Sequence, residues 1–357
     1  GLFSMICAIV ISMWMQPMQY VYAADNTSGI EAFRAELKTM IETGDTSIHN
    51  IGKYNLKYTQ VNSTFNDLTN NDCYLAFSVY NKCYFSTTKS DNVVQTFKLN
   101  TDTKNFSSKY EAVKNAVGVI TSGLTASMTD ADKALYLHDA LLKRSYYGND
   151  GCDAFTSAGP LVNGYGICAG YTDAYRILLK SVGISSAAVT SSSMDHEWVA
   201  VKIGDNWYHV DPTWDDTRSS VSGTVSHTFF LLNDNEISNM GNNSHSNWRM
   251  YDENGQENYI SADATYSKSD IHTVTGNVLY TNGVWYYAKG NKIYAGDVSG
   301  ESGELVYTAA QDVTLNSAAD GVISYTSNGV QQKYDTTQML SETKKVTASA
   351  ITAKYYL

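Results

Sequence analysis

The chain has 357 residues, 43% hydrophobic and 17% charged, enough to bury a sizeable core and to divide into two or three domains. With 36 acidic against 25 basic residues its formal net charge is -11. That balance excludes the electrostatic footprint of a nucleic-acid binder or of a protein held on an anionic membrane.

Residues 1–24 carry no charge and run Met5-Ile6-Cys7-Ala8-Ile9-Val10-Ile11 before Val21-Tyr22-Ala23-Ala24. An apolar stretch followed by small residues reads as an export leader cut near Ala23 or Ala24, entered part-way because a basic start is missing. No later stretch approaches the ~20 apolar residues of a membrane span, so the mature chain is expected to be exported and without one. Loss of the leader leaves Cys73, Cys83, Cys152 and Cys168. Four cysteines over this length make neither a disulfide scaffold nor a structural zinc spacing. Pairing of Cys73 with Cys83 is left open.

Glu31 to Glu42 reads as an amphipathic helix stopped by Gly44. Tyr54 to about Asn100 reads as β structure, with Tyr74-Leu75-Ala76-Phe77-Ser78-Val79-Tyr80 and Tyr84-Phe85-Ser86 as a hairpin. Ser107 to Ile120 predicts a second helix, closed by Gly123. Thr129 then caps a third, with Asp130 and Asp132 in its first turn and Ala134, Leu135, His138, Leu141 and Leu142 on one side. A polar, Gly-rich connection from Gly148 to Gly166 leads to Cys168, where another helix begins; Ala174, Tyr175, Leu178, Leu179 and Val182 give its buried stripe.

Beyond Gly183 the period changes to two. Glu197 to Ile203 and Trp207 to Asp211 read as strands joined at Gly204-Asp205-Asn206. From about Ile260 the helical pattern is gone. Gly276 to Tyr287, Lys292-Ile293-Tyr294, Leu305-Val306-Tyr307 and Gly321 to Gly329 suggest a short array of β-meanders. The 27 tyrosines, many beside Gly, Asn, Ser or Thr, fit exposed β structure suited to sugar or peptide contact, although strand filling is the plainer reading.

The hairpin has a chemical consequence. If Ile203 pairs with Asn206, Trp198 lies opposite Asp211 and His196 is its diagonal neighbour on the same face, roughly 7–8 Å away before the side chains reach. A carboxylate so placed can orient an imidazole and favour its charged form. Gly164, Gly166 and Gly170 surround Cys168 at the helix start, where the dipole and unpaired N–H groups favour a thiolate and could hold an oxyanion. Asn163 and Tyr165 are candidate side-chain donors to that oxyanion. His138 reads as a buried structural residue and His209 as hydrogen-bonded support. Trp207 and Tyr208 read as packing, and Asp215-Asp216 as a solvated turn with a faint echo of a calcium loop.

Three separated runs resemble the core of the transglutaminase-like superfamily, above all its exported bacterial members. They are Leu161-Val162-Asn163-Gly164-Tyr165-Gly166-Ile167-Cys168-Ala169-Gly170-Tyr171, Asp195-His196-Glu197-Trp198, and Asn206 through Asp216. His138-Asp139 and Phe229-Phe230-Leu231-Leu232-Asn233 resemble that group as well. One departure is Ala158 before Gly159, where relatives often carry an aromatic. The resemblance implies an α+β, papain/transglutaminase-like core with Cys168 as nucleophile, His196 as general base and acid, and Asp211 as orienting group, with Trp198 and Trp214 lining the cleft. The expected organisation is a leader at 1–24, an N-terminal α+β region at 25–104, the core at 105–250 and an all-β, repeat-like appendage at 251–357. The expected activity is a secreted or cell-surface thiol acyl transfer, needing no cofactor or metal. Hydrolysis of extracellular protein or cell-wall peptide amides is favoured over glutamine crosslinking because no calcium module is present. A non-catalytic adhesion or carbohydrate-binding module, making its contact through the C-terminal β region, is the third reading.

Overall fold

The computed structural model describes residues 26–71, 84–100, 103–216, 224–251 and 260–337. The leader, the Tyr74–Tyr80 run and the Cys73–Cys83 pair lie outside them. A mixed α+β part occupies the chain to about residue 215, and a largely antiparallel β part follows toward the C-terminus.

Helix α1 (Thr27–Thr43) starts where the Asn26 side chain accepts from the Gly29 amide, and stops at left-handed Gly44. It buries Ile30, Phe33, Leu37, Met40 and Ile41. Strands β1 (His49–Asn50), β2 (Tyr84–Ser90) and β3 (Val93–Asn100) form an antiparallel sheet in the order β1-β3-β2. The β2–β3 turn has Asp91 and Asn92 both at positive φ, the geometry that matches strand twist. Between β1 and β2 the expected β structure is corrected: Tyr58–Asn71 is a helix, α2. Its Tyr, Thr, Val and Asn content favours strands and turns, yet Val61, Phe65 and Leu68 recur at helical spacing and are buried. These residues share one cluster with Phe33, Leu37, Phe97 and Leu99.

The second cluster positions the site. Helix α3 (Thr103–Thr121) leads to α4 (Asp130–Leu142), whose start is a complete capping box of Thr129 and Asp132. The other Asp132 oxygen accepts from the Trp285 indole at 2.7 Å, so one residue both caps α4 and fastens the C-terminal β part onto it. Thr129→Ala is expected to cost about 1 kcal/mol, read as a lower urea midpoint at unchanged slope; an unmoved midpoint would show the cap to be idle.

The connection after α4 is folded rather than irregular. Strand β4 (Tyr146–Tyr147) pairs in parallel with β5 (Tyr165–Gly166), and helical turns at Cys152–Phe155 and Gly159–Asn163 fill the space between them. Helix α5 (Cys168–Ser181) then packs its Tyr171, Ala174, Tyr175 and Leu178 into one core with Val199 and Val201. Those valines belong to the sheet β8-β7-β6-β9, made of β6 (Ser186–Ser191), β7 (His196–Ile203), β8 (Asn206–Val210) and β9 (Arg249–Tyr251). The same core runs on through Tyr266, Ile271, Val274, Trp285 and Tyr287.

Two antiparallel meanders close the described chain, as the pattern of turns and tyrosines predicts. One contains β10 (Leu279–Thr281), β11 (Val284–Lys289), β12 (Lys292–Gly296) and β13 (Glu304–Thr308). The other contains β14 (Val313–Ala319), β15 (Val322–Ser327) and β16 (Val330–Asp335). Asn282-Gly283, Asp320-Gly321 and Asn328-Gly329 make their tight turns with both residues at positive φ. Among the described residues, no helix is long and apolar enough to cross a membrane.

Candidate active site

Cys168 is the first residue of α5, and the preceding Ile167 offers no side-chain cap, so the first-turn amides have no side-chain capping partner. Gly170 brings this turn against the chain of Cys152–Phe155. A Cβ there would stand 2.3 Å from the Ala154 carbonyl oxygen and 3.0 Å from that of Thr156. Both are backbone atoms with little freedom to yield. Gly170→Ala is therefore expected to push α5 outward at a cost of about 1–3 kcal/mol, with slower alkylation of Cys168. Wild-type stability and labelling rate in that variant would contradict the contact.

Strand β7 presents His196 and β8 leads to Asp211. Their register has Ile203 opposite Asn206 and Val199 opposite Val210, the pairing expected from the two-residue turn at Gly204-Asp205. Asp211 lies one residue past the ladder and caps the short helix α6 (Pro212–Asp215), its Oδ1 accepting from the amides of Thr213 at 3.0 Å and Trp214 at 3.1 Å. Its other oxygen, Oδ2, accepts from His196 Nε2 at 2.6 Å. With Nε2 so engaged, Nδ1 is the ring nitrogen left for Cys168.

The electrostatics follow from this arrangement. Burial opposes charge on His196, but the Asp211 charge and hydrogen bond, helped by the hydrogen bond and charge of Cys168, raise its pKa to about 10. Burial likewise opposes the Asp211 carboxylate, and the charges and hydrogen bonds of His196 and His245 overcome it, to about 2. Trp198 stacks on the His196 ring at 5.6 Å and 21°, and Trp214 stands 5.5 Å away on a tilted plane. Trp198 is fully buried, so it walls the imidazole from behind. Its indole N–H donates to His209 Nδ1 at 3.0 Å, which leaves His209 Nε2 to donate to Asp234 at 2.8 Å. That is the supporting role expected of His209.

Asn163 and Tyr165 each have a neighbour of their own. The Asn163 amide donates to Asp153 at 2.9 Å, and the Tyr165 ring faces Tyr146 at 6.4 Å. Half-exposed Tyr147 was not singled out by sequence. Its phenol is raised by burial and then by the charges of Cys168, Asp195 and Asp211, which places it at the rim of this site. Asp215 and Asp216 correct the reading of a solvated turn. Asp215 has no exposed surface and accepts from the Phe229 amide, while Asp216 is buried and accepts from the Tyr171 hydroxyl.

Two histidines escaped sequence reasoning because neither sits in a recognisable pattern. His227 Nε2 donates to Asp139 at 2.9 Å, beside His138 at 3.1 Å from the same oxygen. His245 Nε2 reaches Asp211 Oδ2 at 2.9 Å. The groups His138-Asp139-His227 and His196-Asp211-His245 each gather three potential metal donors within 4.8 Å. Tetrahedral zinc ligands stand about 3.3 Å apart, whereas here two nitrogens contact one oxygen directly at 2.6 to 3.1 Å. Both groups are hydrogen-bonded clusters, and in the first His138 Nε2 also stands 3.3 Å from Asp215 Oδ2.

Residues 118–212 match the model of the transglutaminase-like superfamily, a span that includes Cys168, His196 and Asp211. No protein of curated function matches the chain. A crystal structure of a TGase is similar at 10% identity and a TM-score of 0.25, covering 40% of this chain and 47% of its own. A candidate protease of Parabacteroides distasonis is similar at 10% identity and a TM-score of 0.26, covering 51% and 41%. The chain spans less than half the length of either. Its likeness to the transglutaminase-like superfamily therefore rests on that partial match across the residues of the site.

Proposed function

We propose that this chain is an exported cysteine acyl-transfer enzyme that hydrolyses amide bonds in extracellular protein or cell-wall peptides. The observation that carries this reading is the His196 imidazole, held by Asp211 at 2.6 Å and close enough to Cys168, at an uncapped helix start, for that thiol to help raise its pKa. In this mechanism the Cys168 thiolate attacks the amide carbon, and the α5 amides receive the oxyanion. His196 protonates the leaving nitrogen as the C–N bond breaks, leaving a thioester on Cys168. Water, deprotonated by His196, then attacks that thioester; the acid leaves and the proton returns to the Cys168–His196 pair. Asp211 fixes the tautomer and orientation of the ring throughout. Trp214 and Tyr147 flank the acyl group, whereas Trp285, Tyr286, Tyr287 and Tyr325 of the C-terminal meanders are buried and fill strands.

Mass spectrometry of a peptide library treated with wild type and with Cys168→Ala tests the reading. Cleavage or deamidation by wild type alone is expected. Incorporation of an added amine in place of water would reassign the enzyme as a crosslinker, and unchanged peptides in both samples would leave only a binding module. Export is tested by sequencing the N-terminus of protein recovered outside the cell, which should begin just after Ala23 or Ala24; recovery solely from the cell interior would contradict it.

A further inference from the structure

We propose that His245 is a positioning residue for His196: it donates a second hydrogen bond to the same Asp211 oxygen, locking the carboxylate and withholding part of its charge from the catalytic imidazole. This rests on the acyl-transfer reading above. A carboxylate has about four acceptor directions, and Asp211 uses all four. Oδ1 takes the amides of Thr213 and Trp214, and Oδ2 takes His196 at 2.6 Å and His245 at 2.9 Å. No rotation of the carboxylate improves one contact without loss of another.

His245 is itself held firmly. Its amide donates to the Ile237 carbonyl at 2.9 Å. The ring is packed by Trp214 at 4.4 Å, Trp198 at 4.6 Å and Phe229 at 5.5 Å. At 1% exposure it has no access to solvent that could replace the contact. The titratable groups that face it are Asp211 and His196, with His209 beyond Trp198. Since an ionised carboxylate only accepts, Nε2 of His245 carries the proton in this contact. Two donors to one oxygen compete for its electron density, so the His196–Asp211 bond is weaker than it would be alone. A separate packing role would not produce that competition.

The test is proton NMR of protein labelled with nitrogen-15 histidine, watching ring N–H protons shifted to low field by strong hydrogen bonds. Wild type should show two such protons belonging to this carboxylate, one lost in His196→Ala and the other in His245→Gln. In His245→Phe the His196 proton should move to lower field, because Oδ2 then serves one imidazole. In His245→Gln, whose amide can donate to the same oxygen, it should return toward the wild-type position. If the Phe variant does not fold, the wild-type proton count and the Gln variant still decide. A single low-field proton in wild type, or a His196 proton unmoved in His245→Phe, would overturn the proposal. The parent reading fails separately, if wild-type Cys168 is alkylated no faster than exposed Cys152.

Discussion

Asp211→Asn is expected to lower Cys168-dependent turnover by about 10⁴-fold while leaving the chain folded. The amide oxygen can still accept from Thr213 and Trp214, so the cap of α6 survives. The amide NH₂ then faces two imidazole N–H groups, donor against donor, and one ring must turn or change tautomer. The charge that offsets burial at His196 is gone as well. In wild type this imidazole titrates at about 10 and is cationic at neutral pH. In the variant burial dominates, so its pKa should fall below the ordinary value of about 6.5 and the ring should be neutral at pH 7. The linked stability follows in sign. A raised histidine pKa stabilises the fold fully below about 6.5 and loses that contribution as pH rises through about 10. The variant should lack this alkaline loss. Kinetics on a substrate from the peptide library and histidine NMR titration measure both effects; more than a tenth of wild-type turnover would remove Asp211 from the mechanism.

The second large effect is expected far from the thiol. Asp139→Leu should destabilise the chain by about 3–5 kcal/mol, because it strands the cations around a fully buried site. Oδ1 of Asp139 takes His138 at 3.1 Å and His227 at 2.9 Å, and Oδ2 takes Lys143 at 3.1 Å. Burial resists charge at both partners, yet the Asp139 pKa is held well below its ordinary value, and the hydrogen bond His138 donates to Asp139, with the nearby Asp215 carboxylate, raises His138 to about 9. The Asp139 contribution is present above about pH 3.9 and lost as pH falls further. That of His138 is full below about 6.5 and lost as pH rises through about 9. These two contributions are therefore greatest together between about pH 4 and 6.5, and in Asp139→Leu both flanks should flatten. Urea unfolding at pH 4, 7 and 9.5 would show this; a loss below about 1 kcal/mol at pH 7 would mean the cluster is already compensated by its surroundings.

Much of the site was legible because its geometry is local. A two-residue turn at Gly204-Asp205 sets the register of β7 and β8, and register sets which side chains share a face. The start of α5 was equally plain, since glycines on both sides of Cys168 permit the close approach that a larger residue would block. The strands after Leu279 announced themselves through Asn-Gly and Asp-Gly turns. Helix α2 did not, because its Tyr, Thr and Asn residues outweighed the short stripe Val61-Phe65-Leu68. His227 and His245 were invisible for a different reason. Their partners lie 88 and 34 residues away, and only the packed sheet brings them together. Asp215 and Asp216 looked solvated because acidic pairs usually are, and their buried acceptor roles depend on Phe229 and Tyr171 from other parts of the fold.

The short helix α6 has a consequence for how this chain tolerates change. Asp211 at its cap faces the imidazoles of the candidate site, while Asp215, one turn on, faces His138 at 3.3 Å in the other buried cluster. The Asp215 amide donates to the Asp211 carbonyl at 3.1 Å, so the two carboxylates are spaced by a single helical hydrogen bond. Adding or deleting one residue between them would swing one carboxylate by about 100° around the axis. Both histidine clusters would be uncoupled at once. This four-residue segment therefore acts as a gauge block between the site and the core, closed to change of length.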